Sequence, residues 1–320
     1  MKRYKVELPS IKDDESGFDY LLKLMAKVIA DPYCYFDFNF RSVSVLDQNA
    51  VAVLGGLARY VDAHNSLANK GLGNLMLPKA GVMFEVDSMS TLIRDQLVNN
   101  NFLSHFTSAN YAGYPQGSYI GYRQYTDYLD ANEIALHLRD EWLSDDKLRI
   151  SQSLKNAIIS KIFEIFMNAY GHGADLTKIE GLGVVSCGQY GRKEKNIKLT
   201  VLDFGPGIIE NVRNHLGIDI SDIDSMKWAL EMGHSTRTDS LNTDIPRGLG
   251  FGLLQEFVKV NEGSLKIFSN SCCATVDKKG MFVVEELRNS FSGTLVNISI
   301  NCDDRYYRFA SDDAESEQYF

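Results

Sequence analysis

The stretch that most limits what this chain can fold into is SQSLKNAIISKIFEIFMNAYGHG, Ser151 to Gly173. At about 100° per residue, Leu154, Ile158, Ile162, Ile165 and Ala169 share one helical face, and Ile159, Phe163, Phe166 and Met167 cover the faces beside it. A helix that is apolar nearly all round from Ile158 onward has to be buried. One stripe breaks the pattern: Lys161, Glu164, Asn168 and His172 fall within about 80° of one another, because i, i+4 neighbours share a face. Burying a carboxylate and a carboxamide costs several kcal/mol unless they are paired or face a ligand, so the stripe is expected to line a polar cavity. Standing alone, it has a plainer reading as a satisfied buried Asn beside a surface Glu.

Three further elements follow in order. IKLTVLDFGPGI (Ile197 to Ile208) reads as a buried strand ending in Asp203, followed by Gly205 and Gly207. RGLGFGLLQEFVKV opens an amphipathic helix with Gly248, Gly250 and Gly252, and glycines there let backbone N–H groups approach a phosphate at a helix N-terminus. SGTLVNISI starts a last strand at Ser292, Gly293 and Thr294. A single glycine pattern occurs by chance at many helix starts, whereas four elements in fixed order do not. With these residues the segment from about Ser151 to Asn301 resembles the ATP-binding domain of the GHKL group, named for gyrase, the heat-shock chaperones, histidine kinases and MutL. EIFMNAYGHG corresponds to the N-box, DFGPG to the DxGxG box, RGLGFGL to the second glycine box, and SGT to the final turn. Roughly half of the chain is covered.

The resemblance implies a Bergerat fold, an α/β sandwich that holds ATP between its sheet and a mobile lid. On the matching positions it implies that Asn168 binds Mg²⁺ through its amide oxygen, a hard ligand beside the triphosphate. Glu164, one turn earlier, would act as the base that orients the attacking water or hydroxyl. Asp203 would accept from the exocyclic amine of adenine; a guanine would set its carbonyl against the carboxylate, so ATP is preferred over GTP. Gly205 and Gly207 would pass under the base with Thr294 beside it, while Gly248, Leu249, Gly250, Phe251 and Gly252 receive the phosphates. The lid would be Gly233 to Pro246, polar and loop-like, bringing Ser235, Thr236 and Arg237 toward the phosphates. Histidine kinases usually carry Asn at the earlier N-box position; a Glu there is the pattern of GHKL ATPases and anti-sigma serine kinases. His137, in ALHLRDEW, reads as a partly exposed structural histidine and His172 as support for the helix end.

The chain has 320 residues, room for two domains, and its 44% hydrophobic and 23% charged content is that of a globular protein. A net charge of −9 argues against a protein built to grip nucleic acid. The five cysteines show no metal-ligand spacing and are expected as reduced thiols. No stretch is long and apolar enough to suggest a membrane span or signal peptide, so a cytoplasmic protein is expected.

Expected boundaries are 1–108 for an N-terminal α/β unit, 109–150 for a tyrosine-rich connecting segment, 151–302 for the ATP-binding domain and 303–320 for an exposed acidic tail. In the first unit, strands at Tyr4 to Leu8, Tyr33 to Phe40 and Val82 to Val86 alternate with helices over Phe18 to Ile29, Gln48 to Ala63 with Asp47 at the N-cap, and Ser88 to Asn100. That order predicts βαβ crossovers and a partly parallel sheet. FDFNFRSVSVLDQNAVAVLGGL is similar to STAS domains, the fold of anti-sigma-factor antagonists, with one departure: Asn49 and Ala50 stand where those have the phosphorylated serine and a glycine. A generic α/β module for protein contacts fits equally. Tyr111, Tyr114, Tyr119, Tyr122, Tyr125 and Tyr128 suit core packing better than base stacking. Later, GLGVVSCGQYG and NIKLTVLDFG predict a hairpin joined by RKEKN, where the basic cluster Arg192, Lys193, Lys195 and Lys198 reads as a solvated turn, then come a helix near Ser225 to Met232 and the strands SLKIFSN, GMFVVEEL and TLVNISI.

The fold class expected is therefore α/β (α+β), a STAS-like domain followed by a Bergerat-fold sandwich. The expected function is an ATPase in which lid closure on Mg²⁺-ATP controls a partner protein. A serine/threonine kinase of the anti-sigma type and a non-hydrolysing ATP-binding adaptor are the alternatives, and a homodimer is left open.

Overall fold

A computed structural model describes residues 2–71, 81–107, 119–126, 130–171, 182–231 and 250–312, the side chains of 67–71 and 168–171 excepted. It is a mixed α and β protein with two sheets. Strands β1 (Arg3–Glu7), β2 (Tyr35–Asn39) and β3 (Gly81–Glu85) form a parallel sheet in the order β1-β2-β3. Helices α1 (Glu15–Ala30) and α2 (Gln48–Gly71) make the crossovers, and α3 (Thr91–Asn99) and α4 (Leu103–Phe106) follow. An antiparallel sheet ordered β4-β5-β6-β8-β7 is built from β4 (Tyr119–Tyr125), β5 (Val184–Gly191), β6 (Asn196–Asp203), β7 (Ser264–Val276) and β8 (Phe282–Asn301). The remaining helices are α5 (Ala131–Leu136), continued by a π-helical turn His137–Trp142, then α6 (Gln152–Gly171), α7 (Ile208–Leu216), α8 (Asp222–Leu230) and α9 (Gly250–Asn261).

Alternation along the strands divides the antiparallel sheet between two cores. Val185, Cys187, Leu202, Phe268 and Leu295 join a first core with α1, α2 and the parallel sheet. Val184, Leu199, Val201, Ile267, Val296 and Ile298 join a second core with α6 and α9. Helix α2 touches β3, β5 and β6 and so lies between the two sheets. That position demands apolar residues all round, which AVAVLGGL supplies: each residue of Ala50–Leu57 is buried. Close approach to the sheet also demands small residues. A Cβ on Gly55 would collide with the ring and hydroxyl of Tyr122, and one on Gly56 would press on Leu202 and Phe204. Gly55→Ala is expected to cost about 1–3 kcal/mol by overpacking, even though alanine favours helix; urea unfolding without a loss would show that α2 is free to lift.

Polar contacts also tie the antiparallel sheet to α2 and to the loop before α1. Asp13 accepts from Asn297 Nδ2 (3.0 Å) and Gln48 Nε2 (3.2 Å) and pairs with Lys198 Nζ (3.1 Å), while Thr200 donates to Asn297 Oδ1 (2.7 Å). Lys198 is thus a half-buried ion-pair partner, in contrast to the solvated turn expected for its basic cluster.

Other expectations are corrected in detail. Helix α6 is buried on its Leu154, Ile158, Ile162 and Phe166 side, but Phe163, Ile165 and Met167 are half-buried, so the helix buried all round is α2. Asp47 does stand at the N-cap position of α2, its carbonyl accepting from Ala50 N and Val51 N (3.1 and 3.3 Å), while its carboxylate accepts from Asp13 N (2.9 Å) in the loop before α1. Helix α7 was not foreseen, although Ile208, Val212 and Leu216 have helical spacing and Gly217 closes it at φ 64°. Helix α8 begins at Asp222, capped by Ser221, whose Oγ accepts from Asp224 N (3.0 Å). GMFVVEEL from Phe282 onward and TLVNISI lie on one strand, β8, whose ladder to β7 is broken between them: Asn270 pairs with Phe291 and Cys272 with Glu286, leaving residues 287–290 opposite Ser271 alone. The expected exposed tail is docked in its first part. Tyr307 is buried, its carbonyl accepts from Ser151 N (2.8 Å), and Asp312 accepts from the Ser151 and Ser153 hydroxyls (2.7 and 2.8 Å). His137 is buried, not partly exposed, with Nδ1 3.0 Å from Glu141 Oε2. Tyr122 and Tyr125 are interior; Tyr111, Tyr114, Tyr128 and His172 lie outside the described residues. Among the described residues no helix is long and apolar enough to cross a membrane, and all five cysteines are free thiols.

Candidate functional site

The site is laid out where β6 ends beside the middle of β8. In the β6–β8 register Asp203 opposes Thr294. Both continue the alternation of Val201 and Val296, which places them on the sheet face covered by α6 and α9. Phe204 turns to the other face and packs on Tyr60 of α2, ring centroids 4.9 Å apart. The carboxylate of Asp203 accepts from Gly205 N at 2.8 Å. Burial pushes its pKa from 3.8 up to about 6, against the Gly205 N–H and the Thr294 hydroxyl, which favour the charged form.

The turn that follows Asp203 is held from two sides. Gly293, at φ 137°, lies so close that a Cβ would collide with the Asp203 carbonyl and the Phe204 backbone. Ser292 Oγ donates to Gly205 O (2.8 Å). From β7, Asn270 Nδ2 donates to Pro206 O (2.8 Å), and Ser269 Oγ accepts from Ile208 N (2.8 Å) while donating to Gly293 O (2.8 Å). Gly207, at φ 84°, fits against Asn270, whose side chain fills the space a Cβ would need. Asn270 itself adopts φ 53°, which Asn tolerates better than most residues. Ser269 and Asn270 were missed in the sequence, where the signal was a polar SNS run inside an otherwise apolar strand.

Asp203, Gly205, Gly207 and Thr294 are therefore brought together. Glu164 is half-buried on α6, where its Oε1 accepts from Lys161 Nζ at 2.8 Å; Lys161 is only 11% exposed. Asn168 lies one helical turn further along α6, its side chain outside the described residues. Gly250, Phe251 and Gly252 form the first turn of α9, with Phe251 packed at the edge of the second core. Ser235, Thr236, Arg237, Gly248 and Leu249, and with them the whole expected lid, lie outside the described residues.

The chemistry of this floor is that of a hydrogen-bond acceptor. A partly buried carboxylate whose described partners are two neutral donors retains an acceptor lone pair for a ligand N–H. Among the described residues no three His, Cys, Asp or Glu side chains are grouped to bind a metal. No family model matches the sequence, and a search of curated proteins finds no match.

Proposed function

We propose that the chain is a GHKL-type ATP-binding protein with ATPase activity, its nucleotide site formed by the Asp203–Gly207 turn, α6, the start of α9 and the Ser292–Thr294 turn. The observation that carries this reading is the Asp203 carboxylate, held between the Gly205 N–H and Thr294 by a turn that only glycines at 207 and 293 can make. In that role Asp203 selects adenine through its exocyclic amine. The first turn of α9, with Gly250 and Gly252, offers backbone N–H groups to phosphate. Asn168 would complete the coordination of a triphosphate-bound Mg²⁺, which neutralises charge on the phosphates. Glu164 would orient and deprotonate the attacking water.

The N-terminal unit, similar in pattern to STAS domains, acts in this reading as the reporter of the nucleotide state to a partner protein. It carries no phosphoryl switch at the position of the resemblance: Asn49 is fully buried, its Nδ2 donating to Lys12 O (3.1 Å) and its Oδ1 accepting from Ala50 N (2.8 Å).

The test is calorimetric titration with ATP, ADP and GTP in the presence and absence of Mg²⁺, followed by incubation with γ-labelled ATP. ATP should bind in preference to GTP and release free phosphate. Glu164→Gln should bind ATP at least as tightly as the wild type while turnover falls by about 100-fold or more, since a base acts on the nucleophile and not on the ground state. Label transferred to a protein would make it a kinase, and binding without release an adaptor. A chain that binds no adenine nucleotide rejects the reading.

A further inference from the structure

We infer that Lys161 is the residue that senses the terminal phosphate: it is tied to Glu164, and a nucleoside triphosphate draws it away and frees that carboxylate. The inference rests on the nucleotide site proposed above and adds to it a residue that the motif resemblance leaves without a role.

The ammonium of Lys161 lies 2.8 Å from Glu164 Oε1 across three residues of one helix. Pairs at this spacing on a partly exposed helix are weak. Lys161 nevertheless differs from a surface lysine: it is 11% exposed while Glu164 is 39% exposed. Its stem is enclosed, so its head has a short reach. Within that reach stands Glu164, the base proposed to act beside the terminal phosphate, and Asn168, the residue proposed to carry the metal-bound triphosphate, lies one turn beyond Glu164 and about two turns from Lys161. A polyphosphate presents several negative charges where Glu164 presents one, and charge-assisted bonds to phosphate are among the stronger ones. Given both partners, an ammonium confined to this stretch of helix goes to the phosphate.

The consequence for Glu164 is chemical. With Lys161 bound, one carboxylate oxygen is occupied and held away from any other donor. With Lys161 transferred, both oxygens are open to the hydrogens of a water, and the ammonium now compensates charge on the phosphate. The same movement therefore couples recognition of the third phosphate to release of the base. A diphosphate, ending one phosphoryl group short, gives Lys161 less reason to leave.

Binding, not turnover, gives the decisive readout. Lys161→Met keeps the stem and removes the charge; it should weaken ATP binding by about tenfold or more while ADP changes little, so the ATP preference collapses. Glu164→Gln should do the reverse and tighten ATP binding, because no carboxylate competes for the ammonium. The double variant should bind ATP like Lys161→Met, and Lys161→Arg should restore the preference. Each variant is checked for unfolding midpoint, so that a purely structural ion pair would be seen as a stability loss with an unchanged ATP to ADP ratio. That result, or an ATP affinity in Glu164→Gln below that of the wild type, overturns the inference while leaving the nucleotide site standing. Failure of the wild type to bind ATP at all removes both.

Discussion

Asp203→Asn is expected to lose ATP binding by about 2–4 kcal/mol, roughly 30- to 1000-fold, while the empty protein keeps or gains stability at neutral pH. The two halves of this result have separate causes. Gly205 N already uses Oδ1, and the amine of adenine needs the other oxygen. Asparagine has only one, so one N–H is left facing another N–H whichever way the amide is turned. The same amide can donate to the carbonyl of guanine, so selectivity should shift toward GTP. For stability the sign follows from the raised pKa. Between 3.8 and about 6 the folded state holds the Asp203 proton more tightly than the unfolded chain, so this group's contribution becomes less favourable as pH rises through that window and stays so above it. The penalty is up to about 3 kcal/mol. Asparagine carries no such penalty, and its advantage in unfolding midpoint should be present at pH 7 and shrink as pH falls toward 4. Calorimetry with both nucleotides and a thermal series in pH read the two effects. Unchanged ATP affinity would move adenine elsewhere, and a variant less stable at pH 7 than at pH 4 relative to wild type would contradict the burial of this carboxyl.

Gly293→Ala should be a strongly damaging single methyl. At φ 137° a non-glycine residue is strained, and its Cβ would meet the Asp203 carbonyl, which is backbone and has no rotamer to yield. The two terms together suggest a loss of about 3–5 kcal/mol. Gly217→Ala provides the control. Gly217 also has positive φ, 64°, but nothing lies within 4 Å of the added Cβ, so only the backbone term of about 1 kcal/mol should remain. Equal losses in urea unfolding would mean that the SGT turn does not press on the end of β6.

How much of this was legible in the sequence depends on whether the determining contacts are local. The hairpin of β5 and β6, the βαβαβ order and the Asp203 turn were all readable, because each is specified by neighbours: alternation, helical spacing, glycine after aspartate. The clamp on that turn was not, since Ser269 and Asn270 reach it across the sheet from β7. The role of α2 was misjudged for a similar reason. AVAVLGGL announces a helix without a polar face, yet nothing nearby in the chain says that a second sheet will cover it. Lys198 looked solvated because its partner, Asp13, comes from the other end of the sequence.

That last kind of contact bears on the order in which the protein can be made. Gln48 bonds Asn297, 249 residues further along, and Phe18 stacks on Phe268. The N-terminal helices leave the ribosome long before the strands that cover them exist. At about 5–20 residues per second, the apolar outer face of α1 and α2 must wait on the order of 10–50 s for its sheet. During that interval it is a surface that a chaperone, or another unfinished chain, can occupy. A fragment ending before β5 would keep that surface for good.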